Sequence, residues 1–122
     1  MTQPIRIAFI GAGIFAQDTH LPSLLELDDT YRIVAVYSRT ESTARAFAEN
    51  IPYKTDITTN LDAVLERDDI DVVNIVLPIQ IMPEIVEKAL RSGKHVISEK
   101  PIAPTVAQGK YLLNVPRRED QL

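Results

Sequence analysis

The apolar run Ile5–Ile10 ends on Gly11-Ala12-Gly13-Ile14-Phe15-Ala16, and no other feature constrains the fold of this chain as tightly. A short apolar run without polar alternation is the signature of a strand buried on both faces, and such strands belong to parallel sheets covered by helices. The spacing G-x-G-x-x-[G/A], placed where that strand turns into a helix, adds a chemical requirement. Gly11 permits the tight turn, Gly13 lets the backbone approach a pyrophosphate, and Ala16 is small enough for the helix to pack on the strand. The free N–H groups and the dipole of the helix attract phosphate, which makes Gly11, Gly13, Ile14 and Phe15 candidate cofactor-binding residues. A glycine-rich turn without a ligand is the alternative reading. The position of the motif between strand and helix weighs against it.

The rest of the chain repeats the alternation. Apolar, β-branched runs at Ile33–Tyr37, Val72–Leu77 and His95–Ser98 predict strands, and a shorter one is expected at Tyr53–Thr55. Between them, Glu41–Glu49 presents Ala44, Phe47 and Ala48 at helical spacing. Asn60 is a good N-cap for a helix carrying Leu61, Val64 and Leu65, and Pro83–Ser92 places Ile85, Val86, Ala89 and Leu90 on one face. On its other face Glu84/Lys88 and Glu87/Arg91 are spaced for i,i+4 pairs, and Gly93 supplies the stop. Pro22 predicts that the helix after Gly13 runs in two pieces, and a last helix is expected over Thr105–Asn114. Strictly alternating strands and helices imply right-handed crossovers and a doubly wound parallel α/β sheet of Rossmann type, in the order 3-2-1-4-5. The last strand of the full pattern is missing, because Val115 to Leu122 is polar and has no strand pattern. Residues 1–115 are therefore expected to form one dinucleotide-binding domain, and 116–122 a polar, unstructured tail.

The end of the second strand bears on which dinucleotide is held. An Asp or Glu there would hydrogen-bond the adenosine ribose of NAD. This chain offers Tyr37-Ser38-Arg39-Thr40 instead, with no acid to repel a 2′-phosphate and a guanidinium to pair with one. Ser38, Arg39 and Thr40 thus favour NADP over NAD, the alternative being a solvated arginine at a helix start. A net charge of -4 speaks against nucleic acid as a partner, because phosphate-backbone binding needs a cationic surplus. No cysteine is present, which excludes thiolate metal sites and cysteine nucleophiles, and no metal site is expected. No apolar run approaches the roughly 20 residues of a membrane span, so a cytoplasmic protein without membrane contact is expected.

The run Gly93-Lys94-His95-Val96-Ile97-Ser98-Glu99-Lys100-Pro101-Ile102-Ala103 resembles the G-K-H-V-x-x-E-K-P-[LI]-A segment of the Gfo/Idh/MocA oxidoreductases. The resemblance extends through the glycine loop, His20-Leu21-Pro22-Ser23-Leu24 and Asp71-Val72-Val73, from about Ile5 to Leu113. It implies that Lys100 lies near nicotinamide and substrate in a catalytic role, that Glu99 and Pro101 stand beside the cofactor, and that the Lys100–Pro101 peptide is cis. Independently, a Glu-Lys-Pro sequence after a parallel strand falls at the carboxyl edge of the sheet, where open α/β folds bind ligands. A surface ion pair between Glu99 and Lys100 is the plainer reading.

The chain also departs from the family. After the fourth strand many members read P-N and then His near the cofactor. Here Leu77-Pro78-Ile79-Gln80-Ile81-Met82-Pro83 puts Ile79 and Met82 at those positions, leaving Leu77, Pro78 and Gln80 as candidate contacts. His20 and His95 read as helix-packing and strand-start residues rather than acid–base catalysts. The family's second domain, which supplies most of the substrate pocket, is expected to be absent. The expected function is the NADP(H)-binding part of an oxidoreductase acting on a sugar-like or other hydroxy/oxo substrate once completed by a second domain or partner. The alternatives are a non-catalytic dinucleotide-binding module and an inactive truncated product. An exposed His95–Ser98 edge is expected to recruit a second copy or a partner chain.

Overall fold

A computed structural model describes residues 3–122. Five parallel strands form one sheet: β1 Ile5–Ile10, β2 Tyr31–Tyr37, β3 Asp56–Thr58, β4 Val72–Ile75 and β5 His95–Ser98, in the order β3-β2-β1-β4-β5. The helices are α1 Leu21–Leu25, α2 Glu41–Ala48, α3 Leu61–Leu65, α4 Met82–Arg91 and α5 Val106–Leu113. Central β1 explains its own composition. Ala8 and Ile10 pack with residues of α3, α4 and α5, while Ile7 and Phe9 pack with residues of α1 and α2, so all four are fully buried. Phe9 meets Phe47 of α2 at a ring separation of 4.9 Å, a tilted aromatic contact joining sheet to helix.

Several boundaries differ from the sequence reading, each for a local reason. The third strand lies at Asp56–Thr58 rather than Tyr53–Thr55. The β1–β2 register slips between Ile7 and Ala8, opposite Ile33 and Ala35, and leaves Val34 as an extra residue. Tyr53 and Thr55 serve this bulge. The Ile33 N–H donates to the Tyr53 hydroxyl at 2.9 Å, and the Thr55 hydroxyl donates to the Ile33 carbonyl at 3.1 Å. The Arg32 guanidinium lies 3.6 Å over the Tyr53 ring. β4 stops at Ile75, two residues before Leu77, although the Val76 N–H still reaches the Ile10 carbonyl at 3.0 Å.

The helix after the glycine loop is divided, as Pro22 implies. Ala16–His20 is a π-helical segment, closed by a bond from the Leu21 N–H to the Ala16 carbonyl, and α1 begins at Leu21. An α-helical turn would press the proline ring against the carbonyl four residues earlier, and a widened turn relieves this crowding. Asn60 caps α3 by accepting from the Ala63 N–H, and Thr105 caps α5 by accepting from the Gln108 N–H. On α4 the Glu87–Arg91 pair forms at 2.8 Å, but Lys88 turns to Asp62 of α3 instead of Glu84.

The tail forms no helix or strand, but it is tied to the domain at Gln121. Val115 and Gln121 are buried, and the Gln121 amide donates to the carbonyls of Leu90 and Lys94 at 2.7 and 2.8 Å. The Val96 N–H, expected to stand open on the sheet edge, donates to Leu122 at 3.0 Å. Sequence pattern could not reveal this, because one buried glutamine satisfying two carbonyls has no periodicity. No helix among the described residues is long and apolar enough to cross a membrane.

Candidate functional site

The carboxyl ends of β1, β2 and β4 meet around a cleft of about 330 Å³ lined by the glycine loop, the Ser38–Thr40 turn, Thr43 and Val76–Pro78. Gly11 sits at φ +104°, and a Cβ there would collide with the Val76 carbonyl oxygen. Its N–H donates to the Tyr37 carbonyl at 3.0 Å, which holds the loop beside the end of β2. Gly13 differs: a Cβ built on it meets no protein atom within 4 Å. The backbone at Gly13 therefore faces open space, which is the room a pyrophosphate needs. The first bond of the following helix runs from the Gln17 N–H to the Gly13 carbonyl, so the N–H groups between them lack helical partners. Ile14 and Phe15 at this helix start are 80% and 49% exposed, an apolar surface beside the glycine loop. These residues fit a dinucleotide.

At the end of β2, Ser38 is buried and its hydroxyl accepts the Thr40 N–H at 3.4 Å. Thr40 is the N-cap of α2, yet its hydroxyl donates to the Thr43 hydroxyl at 2.6 Å rather than capping the helix. The first-turn N–H groups of α2 are thus without a side-chain cap beside Arg39. Thr43 was missed from sequence. Its only signal is its place one turn into α2, on the side of its own N-cap.

The second part of the site lies at the end of β5. The Lys100–Pro101 peptide is cis, as the family resemblance implies. The Glu99 N–H donates to the Ile75 carbonyl at 3.1 Å, fixing the segment to the end of β4. Glu99 makes no ion pair with the Lys100 ammonium. One carboxylate oxygen accepts the Lys100 backbone N–H at 3.1 Å, and the other lies 2.7 Å from His20 Nε2. The bond from His20, and then the Lys100 N–H, holds the Glu99 carboxyl below the usual range for glutamate. His20 Nδ1 in turn meets the amide of Asn74, which is 2% exposed in the middle of β4. Neither Asn74 nor the engagement of His20 was legible in sequence. An Asn inside the strand run Val72–Leu77 gave a weak signal, since a polar residue buried among apolar neighbours needs a partner. His95, by contrast, is the strand-start residue expected, its Nδ1 accepting the Leu122 N–H.

Of the candidate residues, Gly11, Gly13, Ser38, Arg39, Thr40, Leu77 and Pro78 line one cleft. Gln80, Glu99, Lys100 and Pro101 are not among its lining residues, and Gln80, Lys100 and Pro101 are exposed. Met82, at the family's histidine position, is the first residue of α4, is buried in the core and offers no polar contact. No group of three or more His, Cys, Asp or Glu among the described residues is arranged to hold a metal.

Comparison with known proteins agrees with this geometry. Residues 5–122 match the family model described as an oxidoreductase family with an NAD-binding Rossmann fold. Dehydrogenase FPY6 of Fusarium mangiferae is 41% identical over 117 residues, covering 89% of this chain and 33% of that protein. A dTDP-3,4-didehydro-2,6-dideoxy-alpha-D-glucose 3-reductase of Saccharopolyspora spinosa is 34% identical, covering 100% of this chain and 36% of that one. Among solved structures, KijD10, a 3-ketoreductase from Actinomadura kijaniata in complex with NADP and TDP-benzene, superposes with a TM-score of 0.83 at 36% identity, covering 92% of this chain and 34% of that one. An oxidoreductase from Thermotoga maritima reaches 0.90 at 36% identity, covering 97% and 36%. The chain spans about a third of the length of these relatives.

Proposed function

Because the chain belongs to the Gfo/Idh/MocA oxidoreductases, with their NAD-binding Rossmann fold, we propose that it is the NADP(H)-binding part of an enzyme that reduces or oxidises a sugar-like or other hydroxy/oxo substrate. One observation carries the cofactor choice. The cleft beside the glycine loop is lined by Ser38, Arg39, Thr40 and Thr43 and by no carboxylate. A 2′-phosphate there meets one guanidinium, three hydroxyls and the uncapped start of α2. The complex of KijD10 with NADP supports the same choice. The nicotinamide supplies a hydride acceptor or donor at its C4. On the protein side, the Gly13 backbone and the helix start take the pyrophosphate, and Arg39 with Ser38 takes the 2′-phosphate. Lys100 holds a proton at Nζ for the substrate oxygen.

Calorimetry with NADPH and NADH tests the cofactor. NADPH should bind at least about ten-fold more tightly at low salt, the equivalent of one charge-assisted hydrogen bond. Arg39→Ala should remove most of the difference while leaving NADH nearly unchanged. Equal affinities in the unmodified chain would refute the assignment. The 122-residue chain alone should bind without turning over simple aldehydes, ketones or sugars, since an exposed Lys100 beside an open cleft lacks the proximity and water exclusion that supply most rate enhancement. Robust NADPH oxidation abolished by Lys100→Ala would overturn that expectation.

A further inference from the structure

His20, Asn74 and Glu99 come from three different elements, the π-helical segment, β4 and the end of β5, yet they form one continuous chain of hydrogen bonds. His20 Nε2 and the Glu99 carboxylate are 2.7 Å apart, while His20 Nδ1 lies 3.0 Å from Asn74 Nδ2 and 3.3 Å from Asn74 Oδ1. The chain continues through the Lys100 N–H, which donates to the other Glu99 oxygen. With Nδ1 accepting from Asn74 Nδ2, Nε2 carries the proton and donates to Glu99, so both ring nitrogens are satisfied. No buried side-chain nitrogen or oxygen among the described residues lacks a partner.

Packing alone does not account for this arrangement. Asn74 lies between Val73 and Ile75 in a strand buried throughout, and an apolar side chain there would need no partner. The local backbone points the same way. The π-helical segment Ala16–His20, which ends on His20, closes its turn over five residues rather than four. In an α-helix each residue advances about 100°, so a regular turn would carry His20 around the helix and away from Glu99. Phe15, at the start of that helix, rests edge-on against the His20 ring at 5.5 Å between centroids. The same histidine therefore touches the phosphate-loop helix on one side and the Lys100 segment on the other.

We propose that His20 is a positioning residue: by donating to Glu99 while braced by Asn74, it fixes the Glu99–Pro101 segment, and Lys100 with it, against the nicotinamide half of the cofactor. This rests on the reading that the Lys100 segment meets that half, whereas the glycine loop and Arg39 hold the adenosine half. The two halves can be tested separately, by calorimetry with NADPH and with adenosine 2′,5′-bisphosphate, which lacks nicotinamide. His20→Ala should weaken NADPH about ten-fold, the scale of one lost hydrogen bond, and the bisphosphate by less than about two-fold. His20→Gln, which keeps a donor toward Glu99, should restore most of the NADPH affinity. Equal losses on both ligands, or no loss on NADPH, would overturn the proposal in favour of a structural role. Failure of the unmodified chain to bind either ligand would overturn the cofactor reading and this proposal together. Should His20→Ala not fold, ¹⁵N spectra of the unmodified chain decide. A protonated Nε2 whose resonance moves with NADPH but not with the bisphosphate is expected, and an unresponsive ring would overturn the proposal.

Discussion

A Cβ at Gly11 would run into the Val76 carbonyl at a backbone φ of +104°, whereas a Cβ at Gly13 would meet nothing within 4 Å. The fold therefore requires a glycine at Gly11, whereas at Gly13 the requirement is expected to come from the proposed dinucleotide. Gly11→Ala should destabilise the chain by about 1–3 kcal/mol from backbone strain alone, with the collision added. Gly13→Val should leave thermal stability within about 0.5 kcal/mol and still weaken NADPH severely, because its side chain occupies the room for phosphate. Thermal melts paired with cofactor titrations separate the two. If Gly13→Val lost stability as Gly11→Ala does, the open space at Gly13 would be serving the fold. The motif was fully legible in sequence at this scale, but the division of labour within it was not, since the Val76 carbonyl comes from just past the end of β4, 65 residues on in the chain.

Among the elements, the bulge of β2 shows how a side chain can look like a strand residue and act as something else. Tyr53 and Thr55 have high strand propensity, and sequence placed a strand on them. The structure uses their hydroxyls to satisfy the Ile33 backbone, which lies beside the bulge and before β3 begins to pair with β2 at Ala35. Tyr53→Phe should therefore cost about 1–2 kcal/mol and lower the melting temperature by several degrees, with cofactor affinity unchanged. A neutral effect would mean that water replaces the hydroxyl at Ile33. The divided first helix is the opposite case. Pro22 announced a break, and the break is present, but only the packed helix shows that it takes the form of a π-turn that turns His20 toward Glu99.

For the molecule as a whole, the ends of the sheet are held by polar contacts that composition does not disclose. Arg6 grips Asp71 through its backbone N–H and its guanidinium at 2.9–3.1 Å, tying the start of β1 to the start of β4. The Arg6 hydrogen bond holds the Asp71 carboxyl below its ordinary value of 3.8. The unfolded chain therefore binds more protons in acid, and the contribution is present above the ordinary carboxylate range and lost as pH falls through the depressed value. Asp71→Asn should lower the melting temperature at pH 7, and the difference should shrink as the pH falls below the ordinary carboxylate range and through the depressed value. A difference that persisted in acid would show that Asp71 acts by packing. At the other end, Gln121→Ala removes two buried hydrogen bonds and should free the stretch that reaches Val96, at a cost of about 1–3 kcal/mol. Light scattering should then show self-association through β5, whose Ile97 is already 43% exposed, and a strictly monomeric variant at high concentration would exclude that edge as an interface. What the sequence determined by itself is the order of elements, the parallel sheet and the phosphate loop, because these follow from local periodicity and from glycine spacing within a few residues. What only the tertiary structure decided is the Asn74–His20–Glu99 chain, the Thr43 side of the cleft and the cover over Val96, because each depends on polar atoms from distant elements meeting within a hydrogen bond's length, and no local pattern encodes a meeting.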